Sequence, residues 1–74
     1  MGKEVQIDIK VIEAELQELV GNEKVRVKLD KHIDVASSIR QDDRGYTIRL
    51  NPTKFRSPEK LEEHLNMCRN VVAS

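Results

Sequence analysis

The chain has no tryptophan, one tyrosine, one phenylalanine, one cysteine, two prolines and three glycines in 74 residues. Each scarcity excludes something. With Cys68 alone no internal disulfide forms, so the disulfide scaffolds of small secreted domains are excluded. Gly2, Gly21 and Gly45 lie far apart, which leaves no glycine-rich loop to cradle a phosphate. Two aromatic side chains give little surface for stacking on bases. No run approaches the ~18–20 apolar residues of a membrane span. The opening Met1–Lys10 carries charges where a signal peptide has its apolar run, and cytoplasm is the expected compartment. Thirteen Lys and Arg balance thirteen Asp and Glu. That balance removes the simplest argument for a nucleic-acid or anionic-membrane partner.

What is present argues for a single folded domain over residues 1–74. Leu, Ile, Val and Phe make up about 28% of the chain, above the ~20% below which disorder is the better reading. There are no repeats, linkers or low-complexity tracts.

The periodicity then places the elements. Val5, Ile7, Ile9 and Val11 alternate with polar residues, which is strand periodicity. Val5, Ile9, Ile12, Leu16, Leu19 and Val20 also form one stripe at ~100° per residue, which is helix periodicity. The best reading is a helix over 9–20, capped by Asp8 and stopped by Gly21-Asn22. A short extra N-terminal strand precedes it, or the helix runs on from residue 4. In the second case Ile7, Val11 and Ala14 form a surplus apolar face suited to a partner, most simply a second copy.

Residues 24–30 alternate as a half-buried strand with Val25, Val27 and Leu29 inward. Residues 33–40 read as a weaker strand carrying Ile33, Val35 and Ile39. Asp42-Asp43-Arg44-Gly45 is a turn, and Tyr46, Ile48 and Leu50 follow as the inward side of another strand. Residues 36–50 therefore read as a hairpin with a loop longer than two residues. Ser57 and Pro58 start a second helix with Leu61, Leu65, Cys68 and Val72 as its apolar stripe. His64, Met67 and Val71 lie on its flank. The expected fold is α+β in α-β-β-β-α order, an antiparallel three-stranded sheet with two helices packed on one face.

Chemistry-bearing residues are few. His64 and Cys68 stand at i and i+4, one above the other on a helix. Both can bind a soft or borderline metal such as zinc, but a zinc site needs a third and usually a fourth ligand, and no cofactor is the leading expectation. His32 or Asp34 would have to supply them. The bland alternative makes Cys68 a small core residue, since free Cys is among the most buried types. Ser37-Ser38 precede a possible strand core, with nothing near them in the sequence to place a base beside them. Glu62 and Glu63 are adjacent on a helix and form no facing acid pair.

The α-β-β-β-α order also belongs to double-stranded-RNA-binding domains, which present a basic helix start to phosphates. Here that start is Ser57-Pro58-Glu59-Lys60, followed by Glu62 and Glu63, which repel phosphate. A nucleic-acid site would instead use Arg40, Arg44, Arg49, Lys54 and Arg56, close together in sequence.

The run Gly45-Tyr46-Thr47-Ile48-Arg49-Leu50-Asn51-Pro52, followed by a helix bearing His64, resembles the compact zinc metallopeptidases of the ImmA/IrrE type. The resemblance spans residues 9–72 as an order of elements and a few side chains. It implies a small zincin-like domain whose active helix carries H-E-x-x-H, two zinc ligands and a general base. The matching run here is His64-Leu65-Asn66-Met67-Cys68. Leu65 stands where the base belongs and Cys68 where the second histidine belongs, so hydrolysis is not expected. The resulting expectation is a non-enzymatic domain with a zincin-like core, binding a protein or itself through Ile7, Val11 and Ala14. Metal binding at His64 and Cys68, and nucleic-acid binding, are the alternatives.

Overall fold

The computed structural model describes residues 5–73. Their order is α1 (Ile9–Val20), β1 (Lys24–Leu29), β2 (Ser37–Asp42), β3 (Gly45–Leu50), a 3-10 turn η1 (Pro52–Lys54) and α2 (Pro58–Ala73). The α-β-β-β-α order stands as expected. Residues 5–8 are neither strand nor helix, although Val5 and Ile7 pack against the core. The alternative helix start at residue 4 lies outside the described residues.

Local chemistry sets the helix ends. Asp8 accepts hydrogen bonds from the Lys10 and Val11 amides at 3.2 and 3.3 Å, satisfying two of the orphan donors of a first turn. Gly21 adopts φ 72° and donates its N–H to the Gln17 carbonyl, a left-handed stop that a side chain would strain. Ser57 Oγ accepts from the Lys60 amide at 3.3 Å, with Pro58 at the first helical position.

The sheet differs from the expected antiparallel one. Its spatial order is β1-β3-β2, with β1 parallel and β2 antiparallel to β3. The cause lies in residues 30–36, which cross the far end of β3 rather than turning back beside β1. Asn51, 1% exposed, holds that crossing. Its amide Nδ2 donates to the carbonyls of Lys31 (3.3 Å) and Ile33 (2.9 Å), and its backbone N–H donates to the Ala36 carbonyl (2.9 Å). Its Oδ1 accepts from the Thr53 amide and hydroxyl. A buried amide left without these partners would cost about 1–3 kcal/mol per group. The same contacts explain why the strand expected over 33–40 begins only at Ser37. The Lys31 and Ile33 carbonyls serve the Asn51 side chain rather than a ladder.

The β2–β3 hairpin closes through two residues, Asp43 and Arg44, since Asp42 pairs with Gly45. The longer loop expected from the sequence is absent. Asp42 Oδ1 accepts from the Arg44 and Gly45 amides at 2.8 and 3.1 Å. Among the described residues no non-glycine has a positive φ, and Gly45 carries the φ of 134° that the turn requires. The backbone of Lys24 on β1 also occupies the place where a Cβ at Gly45 would stand.

The core is one cluster. Ile12 and Leu16 of α1, and Leu61, Leu65, Cys68 and Val72 of α2, meet Val25, Val27, Tyr46, Ile48 and Leu50 of the sheet, with Phe55 between. Both helices therefore cover the same face of the sheet, as expected. Each large aliphatic side chain buried there contributes about 1.5–3 kcal/mol. Leu29 departs from the strand's inward expectation: it is 47% exposed at the end of β1. Arg69 ties the helices together through Glu15 on α1 and Glu62 on α2, both at 2.9 Å.

Candidate functional site

The His64–Cys68 pair is built into the core's edge. The ring nitrogen Nδ1 of His64 lies 2.7 Å from Ser37 Oγ on β2. Its ring meets Phe55 edge-on, with centroids 5.2 Å apart and planes at 83°, a favoured aromatic geometry. Cys68 is 4% exposed. Burial pushes its thiol pKa up, against a smaller lowering by the Arg69 charge, so the reactive thiolate is disfavoured. Leu65 is buried beside it. His32 and Asp34 are exposed in the crossing segment. Among the described residues no three His, Cys, Asp or Glu side chains come together as metal ligands. The donor set does not fit a zinc centre, which requires a third ligand even in its open, catalytic form.

The opposite face of the sheet is different in kind. Side chains alternate across a strand. With Val25, Val27, Ile48 and Leu50 turned to the core, Lys24, Arg26, Lys28, Thr47 and Arg49 must turn away from it. The antiparallel register sets Ser38, Arg40 and Asp42 beside them. Among the described residues no helix covers this side. The strands thus present five cations, Lys24, Arg26, Lys28, Arg40 and Arg49, against one carboxylate, Asp42. The helices carry the compensating charge: Glu13, Glu15, Glu18, Glu59, Glu62 and Glu63 against Lys10, Lys60 and Arg69. A chain of zero net charge folds into a basic sheet face and an acidic helical side.

Among the described residues, Lys24, Arg26, Lys28 and Arg40 make no ion pair, while Arg49 sits 3.9 Å from Asp30. Two shallow depressions of about 160 Å³ each lie on this face. Lys24, Arg26, Arg44 and Thr47 line one, and Ser38, Arg40, Thr47 and Arg49 line the other, with Asp42 on both.

The remaining site expectations divide. Val11 is 63% exposed and Ala14 is also exposed, whereas Ile7 is half-buried and packs against the core. Arg40 and Arg49 share the open face and Arg44 stands at its turn, while Lys54 and Arg56 lie beyond β3 and line neither depression. Lys24, Arg26 and Lys28 were missed as partners of those arginines. Their alternation with Val25 and Val27 carried the signal, but only the pairing of β1 with β3 brings them beside Arg40 and Arg49. Glu13 and Gln17 were missed as well. They stand at i and i+4 on α1 and accept from the β1 amides of Val27 (2.8 Å) and Val25 (3.0 Å).

No helix among the described residues is long and apolar enough to cross a membrane. No known family, curated protein or solved structure matches the chain. The likeness to ImmA/IrrE-type peptidases thus rests on residues 45–52 and His64, and the basic sheet face stands as the site defined by this chain's own geometry.

Proposed function

We propose that this chain is a non-catalytic binding domain that engages the phosphate backbone of duplex nucleic acid through the open face of its sheet. The observation that carries this reading is the gathering of Lys24, Arg26, Lys28, Arg40 and Arg49 on one uncovered face. Residues two apart on a parallel strand stand about 6.6 Å apart, close to the spacing of successive phosphates along one nucleic-acid strand. The acidic helices lie on the far side and orient the approach. Tyr46 and Phe55 are both buried, so no ring is offered for stacking on unpaired bases. Contacts to phosphates alone position a protein without reading sequence. In this reading the core that holds Leu65 and Cys68 serves as a scaffold for the open face.

A labelled-duplex anisotropy titration tests the reading. Five phosphate contacts per chain give a slope of log K against log salt of about −4.5 for each chain bound. Lys24→Glu with Arg26→Glu should remove most of the low-salt affinity. Equal binding by that variant, or no binding of the parent chain at low salt, contradicts the reading. A protein partner on the outer side of α1 is the second reading, supported by the exposed Val11 beside Ala14. Val11→Glu would abolish such a complex and leave duplex binding unchanged.

A further inference from the structure

The two edges of the sheet are treated differently. On β1, side chains of α1 occupy the outward amides: Gln17 Oε1 takes that of Val25 and Glu13 Oε2 that of Val27. On β2 the ladder itself shows which groups face out. The Asn51 amide donates to the Ala36 carbonyl, which makes 36/51 a hydrogen-bonded pair. Antiparallel pairs alternate, so 38/49, 40/47 and 42/45 are hydrogen-bonded too. Ser37, Ile39 and Gln41 therefore turn their backbone N–H and C=O groups outward. Among the described residues nothing covers them. Such an edge is a template for another strand.

We infer that β2 pairs with β2 of a second copy, antiparallel about a two-fold axis at Ile39, joining two sheets into one of six strands. In this register Ile39 faces Ile39 of the second copy, and Ser37 faces Gln41 in both directions. Each such pair exchanges two hydrogen bonds, so every outward group of the three residues is satisfied. On the open face Arg40 comes opposite Ser38. Slipping the strands by two residues one way sets Arg40 against Arg40, a like-charge pair that destabilises a sheet. Slipping the other way leaves Gln41 without a partner within the strand. Charge and hydrogen bonding thus select one register.

Strand pairing alone falls short of the ~1,200 Å² of a stable interface, and apolar side chains beside this edge extend it. His64 bonds to Ser37, so the side of α2 that carries His64 lies over β2. At ~100° per residue, Met67 shares that side, and it is 61% exposed. Val35, at the entry to β2, is 51% exposed. A second copy covers both. The result is a continuous face bearing two sets of Lys24, Arg26, Lys28, Arg40 and Arg49.

Sedimentation equilibrium of the full chain, with no nucleic acid present, tests the pairing independently of the binding reading. The parent chain should run at twice the chain mass at micromolar concentration. Gln41→Pro removes an outward N–H, which an edge strand tolerates, together with one exposed 3.5 Å side-chain hydrogen bond to Glu23, and should be monomeric with an unchanged far-ultraviolet spectrum. Val11→Glu should remain dimeric. Hydrogen exchange gives a readout without substitution: the Ser37, Ile39 and Gln41 amides should be protected at high concentration and lose protection on dilution. A parent chain that stays monomeric with those amides unprotected overturns the pairing. So does a dimer that survives Gln41→Pro but dissociates in Val11→Glu.

Discussion

The β1 and β2 edges belong to one sheet and share β3 between them, yet only β1 has outward amides taken by a helix, at Val25 and Val27. Its closure comes from a carboxylate and an amide spaced i, i+4 on the helix alongside. These side chains act as a substitute strand, supplying acceptors where a neighbour's carbonyls would be. Gln17 supplies a donor as well, since its Nε2 donates to the Glu23 carbonyl. Among the described residues no helix side chain takes the outward amides of β2: α1 is committed to β1, and α2 reaches β2 through the side chains of His64 and Ser37. The defence of β2 is limited to the charges of Arg40 and Asp42. A chain this small has two helices to place, and what they leave bare becomes the surface available for binding: one sheet face and one sheet edge.

The largest way to break the comparison is to remove what keeps the two edges apart. Asn51→Ala frees the crossing segment, leaves the Lys31 and Ile33 carbonyls without their donor, and should cost about 3 kcal/mol. Urea denaturation measures it. Opening the closed edge comes next. Glu13→Ala with Gln17→Ala should cost about 2 kcal/mol, and it leaves both edges bare. Pairing should then become open-ended, with light scattering rising with concentration. Glu13→Gln with Gln17 intact keeps an acceptor and should show little of either effect.

Monomerisation sharpens the comparison at the binding step. Gln41→Pro leaves each basic face intact but separate, so its salt slope for duplex binding should be about half that of the parent chain. A smaller effect is expected at Arg69, whose charge is stabilised chiefly by its hydrogen bond to Glu15, with Glu62 adding to it. Its carboxylate partners are half-exposed, and Arg69→Ala should cost about 0.5–1 kcal/mol, less at high salt. Cys68 gives a change in pH dependence that neither edge affects. Burial raises its pKa, so the folded state holds the thiol proton more tightly than the unfolded one. That contribution is complete below the ordinary thiol pKa and is lost as pH rises through the folded value. The urea midpoint should decline at alkaline pH in the parent chain and decline less in Cys68→Ala.

Much of the local structure was legible in the residues. Asp8, Gly21, Ser57 and Pro58 mark helix ends by chemistry that acts within a turn, and Val25, Val27, Ile48 and Leu50 mark the inward face by alternation. The order of strands was not legible, because alternation shows which side a residue faces and not which strand lies beside it. Three consecutive strands suggest a meander. Here the connection crosses the end of β3, where the buried Asn51 bonds it, and β1 lies parallel to β3. The site was hidden for the same reason. Arg40 and Arg49 were visible as a local group, but Lys24, Arg26 and Lys28 join them only through that unexpected pairing. Conversely, His64 and Cys68 were conspicuous by residue type, and the fold uses them against Ser37, Phe55 and the core.

The central claim is that nucleic acid meets the uncovered side of the sheet. The direct measurement is an amide chemical-shift map of the full chain titrated with a short duplex at low salt. The account predicts that Lys24, Arg26, Lys28, Arg40 and Arg49 shift together and recover when salt is added, while the outward positions of α1 and α2 stay fixed. Shifts concentrated on the helices, or none at all at saturating duplex, would contradict it.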